Sequence, residues 1–283
     1  MILVTGATGT SGVAIVRALL DLGNVPRVLA RDPERAAKLL GDDVEIARGD
    51  FADAGSLAAA CDGIDSALLL SPPEPSTVAD QTRFVDAAKS AGVKHVVKFS
   101  AVGAHPGAPH RFGAWHGEAE RYLERSGLAW THLRPNFFMQ NLLGFAGMVK
   151  GGTLYVPAGD GRAPFVDVRD IAAVAAHCLS EEGHEGKVYD VTGPEALSYA
   201  DVAATFAKVL GKPVSYVDVP TEAATQSMVQ AGMEPWRAEA INELNTAMKQ
   251  WRFAGVTDVV KRVGHKDPTT LERFVRENVA AFG

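Results

Sequence analysis

Eleven residues at the start of the chain, ILVTGATGTSG, restrict its fold more than any other stretch. Residues 2–5 are a short apolar run with β-branched members, Gly6, Gly9 and Gly12 follow at intervals of three, and an Ala- and Leu-rich stretch of helical period occupies about 11–22. A strand passing through a glycine loop into a helix is the opening of a βαβ unit. Glycine there permits a tight turn, a close approach to the backbone and close helix–strand packing, while the first N–H groups of the helix face an anion.

The rest of the chain continues the same alternation. Strands are expected at 2–5, 27–30, 44–48, 66–70, 95–100, 130–133 and 188–191, and helices at about 11–22, 33–40, 54–61, 78–91, 112–126, 169–181 and 198–210. Short connections between them predict an α/β fold, a doubly wound (Rossmann-type) parallel sheet covered on both faces, with its ligand at the carboxyl ends of the strands. After about Pro135 the regularity breaks. We therefore expect residues 1–140 and 166–192 to form an NAD(P)-binding core, and 141–165 and 193–283 a smaller substrate-binding lobe.

Composition removes several function classes. The net charge of -6 gives no electrostatic footprint for nucleic acid, and no basic run marks a membrane surface. No apolar stretch approaches the roughly 20 residues of a membrane helix. Cys61 and Cys178 lie far apart and outside any CxxC pattern, so neither a disulfide framework nor a zinc site is indicated. The chain reads as cytoplasmic, with a small-molecule partner, no nucleic acid, no membrane and a homodimer left open.

In this frame a dinucleotide suits the glycine loop, with its pyrophosphate against Gly6, Thr8, Gly9, Thr10, Ser11 and Gly12. The spacing is one residue longer between the first two glycines than in G-x-G-x-x-G, and three glycines alone also fit a plain strand–helix turn. After the second strand the chain reads VLARDPERA. Asp32 stands before Pro33 as a helix cap would, so Arg31 is the candidate partner for a 2′-phosphate; an exposed loop Arg is the bland alternative. NADP(H) is favoured and NAD(H) stays open. Asp50 and Phe51 follow the third strand, placed to meet the adenine or simply to form a turn. Leu70, Ser71 and Pro72 follow the fourth, where they shape the nicotinamide-side wall or end the strand, and Ser100, Ala101 and Val102 follow the fifth.

LVTGATGTSG, RGDFAD, AAKSAGVKHVVKFSA, HGEAERYLERSGLAWTHLRPNFFMQN and EEGHEGKVYDVTG together resemble the NmrA-like branch of the atypical short-chain dehydrogenase/reductase superfamily, in particular its quinone oxidoreductases and triphenylmethane dye reductases. The resemblance covers the chain to about residue 215 and implies NAD(P)-dependent reduction or, in the regulatory members, cofactor sensing. It also implies that Arg169 reaches the cofactor or the pocket mouth, whereas Asp170 is structural.

One departure from the superfamily is informative. Aligning Glu120 with the acidic residue of the usual catalytic helix puts Phe112 where the Tyr stands and His116 where the Lys stands. A phenyl ring donates no proton, so ketone reduction by the usual route is not expected. His116 is the candidate catalytic residue, to bind the nicotinamide ribose or supply a proton, with a surface histidine as the alternative.

Quinones and conjugated dyes take hydride without such help, because the charge that develops is delocalised or cancelled. RPNFFMQN supplies Pro135, Asn136 and Phe137 on the cofactor side and Phe138 and Asn141 on the substrate side, with Trp115 from the preceding helix; Met139 is as readily core. Met228, Met233, Trp236, Trp251 and Phe253 are lid, core or interface residues. Lys98, inside the fifth strand, reads as an edge or rim residue. His105, His110 and His116 lack a carboxylate in a metal pattern. The expectation is an NADPH-dependent oxidoreductase passing hydride directly to a quinone-like or other conjugated acceptor, without flavin or metal; the alternative is a non-catalytic NADP(H) sensor with a protein partner.

Overall fold

In the computed structural model, which describes residues 1–283, the strands are β1 (Ile2–Val4), β2 (Arg27–Ala30), β3 (Glu45–Arg48), β4 (Ser66–Leu69), β5 (His95–Phe99), β6 (Ala129–Pro135), β7 (Thr153–Tyr155), β8 (Lys187–Val191) and β9 (Ser215–Val217). Seven of them make one parallel sheet in the order β3-β2-β1-β4-β5-β6-β8. The chain winds outward from β1 to β3, then crosses to β4 and winds the other way. The switch point therefore lies between β1 and β4, where this kind of sheet opens a crevice for a ligand.

The helices of the first half are α1 (Thr10–Asp21), α2 (Pro33–Leu40), α3 (Ala54–Cys61), α4 (Thr77–Ser90) and α5 (Arg111–Arg125). A 3-10 turn (Met139–Phe145) leads into α6 (Ala146–Lys150), then α7 (Val168–Ser180), α8 (Tyr199–Leu210), α9 (Thr221–Gln230), α10 (Pro235–Lys249), α11 (Val259–Arg262), α12 (Leu271–Glu277) and α13 (Val279–Phe282). Alternation along the strands sorts the core into two faces. Val4, Leu68, Val97 and Phe99 pack on Ile15, Leu19, Ile171 and Val174 of α1 and α7. Leu3, Leu69 and Val96 pack on Leu57, Phe84 and Leu123 of α3, α4 and α5.

A separate core joins Met139, Leu154, Phe165, Phe206, Met248, Phe253 and Phe274, drawn from the segments after β6. It includes a two-stranded parallel pair, β7 with β9, that sequence pattern does not reveal. Strands of three residues carry too few alternations to rise above loop composition. The C-terminal segment is tied back to the main sheet, because Val259, Val260 and Val263 join the α1–α7 core and Asp170 accepts from Thr269 N at 2.7 Å and from Lys266 Nζ at 2.6 Å. No helix is long and apolar enough to cross a membrane. Burial pushes the thiols of Cys61 and Cys178 up to about 11 and about 12, so neither is reactive near neutral pH.

Candidate active site

The glycines of the first loop have three different structural reasons. Gly6 sits at φ +63, and a Cβ there would lie 2.7 Å from the Leu70 carbonyl oxygen. Gly12 is buried, and its Cβ would land on the Gly6 carbonyl and 2.7 Å from Ala7 Cα, so α1 packs directly on the loop. Gly9 differs. Its φ of -84 and ψ of 168 suit any residue, and its Cβ would meet only the Gly6 oxygen, at 3.4 Å. Nothing inside the protein requires glycine at this position, so the requirement comes from what lies outside it. Gly9 is the N-cap of α1, no side chain caps that helix, and Thr8, Thr10 and Ser11 flank the same opening. An anion with bulk, such as a pyrophosphate, fits this cradle.

Asp32 accepts from Arg35 N at 3.0 Å, capping α2 ahead of Pro33. Arg31 is left free, its side chain 78% exposed and its nearest acid, Asp50, 3.9 Å away. Asp50 also holds its own turn by accepting from Ala52 N at 2.8 Å, and Phe51 is half-buried against Phe84. Leu70 N donates to Thr5 Oγ1, which locks the end of β4 to the end of β1. Pro72 is exposed, but Ser71 is buried, its hydroxyl accepting from Gln81 Nε2 at 2.9 Å and donating to the Pro72 carbonyl at 3.4 Å, so it offers a wall rather than a free donor.

Beneath α5 lies a buried polar network. Lys98 is fully buried in β5, between β4 and β6, and its Nζ stands 3.0 Å from His116 Nδ1. Glu120, also on α5, takes two bonds from Arg134, at 3.0 and 2.6 Å, and one from Ser100 Oγ at 2.6 Å. Burial works to raise the Glu120 carboxyl, but Arg134 and Ser100 hold it below its ordinary value. Burial brings the Lys98 ammonium down to about 7. Burial, then the Lys98 cation, pushes the half-buried His116 well below the usual imidazole range.

Above this network Phe112, Trp115 and Trp236 form an aromatic row, with ring centroids 5.7 and 6.1 Å apart. Trp236 comes from α10, so the C-terminal segment meets the start of α5 here; Arg111 strengthens the junction through Glu243 at 2.6 Å. Val102 and Ala101 are half-buried beside β5, and Val102 N donates to the Pro135 carbonyl at 3.0 Å. Phe138 packs edge-on to Phe99, while Phe137 lies against Phe165 and Phe253 in the second core. A cavity of about 490 Å³ between the start of α5 and helices α9 and α10 is lined by Arg111, Glu239, Asn242 and Glu243 and is too polar for a flat apolar ring.

The NmrA-like family matches residues 1–275. The chain belongs to the NmrA-like family. Among its relatives, the NAD(P)H azoreductase of Xenophilus azovorans is 41% identical over the whole of this chain and 99% of its own. The NADPH-dependent quinone oxidoreductase of Escherichia coli, in complex with NADPH, superposes with a TM-score of 0.92 at 28% identity, over 99% of this chain and 100% of that one. The Citrobacter sp. triphenylmethane reductase, complexed with NADP(H), gives 0.90 at 26% identity, over 98% of this chain and 99% of that one.

Within this NmrA-like frame the structure gives many of the expected site residues internal partners. Lys98 is not a rim residue, because β5 is central and the side chain has no exposure. Ser100 turns its hydroxyl into the Glu120 network instead of the crevice. Asn136 is buried, with Nδ2 on the Phe253 carbonyl at 3.0 Å and Oδ1 on Phe137 N at 2.9 Å; it fastens β6 to the C-terminal segment and has no polar atom to spare. Arg169 is committed to Asp167 at 2.8 Å and Glu277 at 2.6 Å, which neutralise it and hold it against α12. Asn141 is exposed on the 3-10 turn, and Phe253 is core, whereas Trp251 is exposed at φ 60. His110 caps α5 by accepting from Gly113 N at 3.0 Å, so His105, His110 and His116 do not converge as ligands. The residues whose donor atoms do converge are His177 on α7, Glu181 just after it and His265 after α11.

Proposed function

We propose that this chain, an NAD(P)H-dependent reductase, uses NADPH to reduce flat conjugated acceptors of the quinone or azo class. The observation that carries this reading is the site's lack of a free hydroxyl acid: Phe112 stands where a phenol would, and the Ser100 hydroxyl is bound to Glu120. An isolated ketone concentrates the developing charge on one oxygen and needs it strongly stabilised as hydride arrives, whereas a conjugated acceptor spreads that charge over its π-system. The relatives named azoreductase, quinone oxidoreductase and triphenylmethane reductase agree with this class.

In this reading the loop from Gly6 to Gly12 holds the pyrophosphate and the exposed Arg31 meets the 2′-phosphate. Bound there, the nicotinamide supplies the hydride. Phe112, Trp115 and Trp236 present faces and edges on which a planar ring stacks, and their packing excludes water from one side of it. His116 lies at the base of this row, one helical turn beyond Phe112, and is the polar group offered to the acceptor. The division of labour follows the cores, with 1–140 and 166–192 binding cofactor and 141–165 with 193–283 supplying the substrate wall.

The test is NADPH oxidation by flavin-free protein with menadione, a neutral azo dye and cyclohexanone. Turnover with the conjugated acceptors and little with the ketone is expected. Efficient ketone reduction without the others would overturn the mechanism, and tight NADPH binding without turnover on any acceptor would make the chain a sensor.

A further inference from the structure

We propose that Lys98 and His116 form a two-residue proton relay that serves those conjugated acceptors, such as neutral azo compounds, which must gain a proton along with hydride. The proposal rests on the reading of His116 as the polar group facing the acceptor. Lys98 is fully buried in a central strand, a costly place for an ammonium unless its protons are used. Its one hydrogen-bond partner is His116 Nδ1, at 3.0 Å. Glu120, the acid of the same network, has both oxygens taken by Arg134 and Ser100. The cation therefore points at an imidazole instead of a carboxylate.

This contact sets the state of the ring. Below about pH 7, where Lys98 is an ammonium, it carries only donors, so Nδ1 accepts and the ring proton sits on Nε2, at the other edge of the imidazole and away from Lys98. The groups around the pair are His110, Glu120 and Glu124 from α5, His132 and Arg134 from β6, and Asp190 from β8. Burial, eased by Glu120 and reinforced by Arg134, leaves Lys98 titrating at about 7, where an acid transfers protons best at neutral pH.

When hydride adds to one nitrogen of a neutral azo bond, the other nitrogen takes the proton from His116 Nε2. As that N–H bond breaks, a Lys98 proton moves to Nδ1, leaving a neutral amine and a neutral imidazole of the opposite tautomer. Water then reprotonates Nε2 and the Nδ1 proton returns to Lys98. A cationic triphenylmethane dye becomes neutral on receiving hydride alone and needs none of these steps.

The variant Lys98→Met removes the donor and keeps an apolar stem in the same slot. With a neutral azo dye at pH 7 its kcat should fall about 100-fold, and the decline in rate above pH 7 should disappear; with crystal violet its kcat should not change. Independently of turnover, ¹⁵N spectra of the cofactor-free protein recorded below pH 7, with Lys98 protonated, should show His116 as the Nε2–H tautomer in the wild type and as a mixture in Lys98→Met. An unchanged azo rate and pH profile, equal losses on both dyes, or an unchanged tautomer would overturn the relay. His116→Ala separates the two ideas: wild-type rates on both dyes in that variant would refute the role of His116 itself. Loss of azo reduction in it, beside an unaffected Lys98→Met, would refute the relay alone.

Discussion

A valine at Gly9 and an alanine at Gly12 should fail for different reasons, although the two positions are three residues apart in one loop. At Gly9 the backbone already has an extended conformation that a β-branched residue adopts, and the nearest atom to a new Cβ is 3.4 Å away. The fold should tolerate Gly9→Val within about 0.5 kcal/mol, the usual range for a surface change. The ligand should not. Moving a phosphate away from even one N–H forfeits a charge-assisted hydrogen bond of about 1.5–3 kcal/mol, or roughly 10- to 150-fold in affinity, for NADPH and NADH alike because both carry the pyrophosphate. Gly12→Ala drives its methyl into the Gly6 carbonyl and Ala7 Cα, an overpacking that costs about 1–3 kcal/mol and lowers Tm by roughly 2–12 °C. Fluorescence titration with each nucleotide and calorimetry of the free protein read the two effects separately. Unimpaired nucleotide binding by Gly9→Val, or a melting loss equal to that of Gly12→Ala, would refute the assignment of the Gly9 opening to the pyrophosphate.

Three further outcomes follow from the same geometry. Arg31→Ala removes an exposed guanidinium with one distant acid as its neighbour, so it should weaken NADPH by about 10- to 150-fold and leave NADH almost unchanged, as measured by the same titrations; equal losses would reject the 2′-phosphate contact. Phe112→Tyr should leave menadione reduction near the wild-type rate, since delocalised acceptors do not wait for a phenol, and a large gain would show that proton donation limits even there. Burial lowers His132 to about 4 and also depresses His95, His110 and His116, so below about pH 6.5 the unfolded chain binds protons that the folded chain refuses. Stability should fall as pH drops from about 6.5 toward about 4, with His132 alone contributing roughly 3 kcal/mol, and urea midpoints at pH 7, 5.5 and 4.5 that do not decline would contradict the burial of these rings.

The sheet was legible because each of its strands lies between a turn and a helix whose period shows in local sequence. Predicted 27–30, 33–40 and 54–61 coincide with β2, α2 and α3, and Asp32 before Pro33 marks the α2 cap without any tertiary information. The short elements after β6 lacked that local support. Their stability comes from Phe165, Phe206, Phe253 and Phe274 meeting across more than a hundred residues, which no window along the chain samples. The internal partners of polar residues were hidden for a related reason: Arg169 and Asn136 stand at the ends of their elements, and Glu277 and the Phe253 carbonyl, which they meet, arrive from the C-terminal segment.

Lys98 is the instructive case, because a signal for it was present. HVVKF belongs to a strand expected to be covered on both faces, and in a central parallel strand every side chain is interior whichever face it takes. A lysine there cannot be on a rim; it is either a buried charge with a purpose or evidence against the strand. The strand itself is secure, since β4 and β6 flank it in register from His95 onward. The site that follows from the buried charge differs from one read off the missing tyrosine alone. A vacant phenol position by itself suggests a reductase restricted to acceptors that need no acid, whereas in the proposed relay the ammonium 3.0 Å from His116 would be an acid one ring away from the acceptor. If the proposed relay operates, conjugated acceptors that require a proton separate from those that do not by their dependence on Lys98.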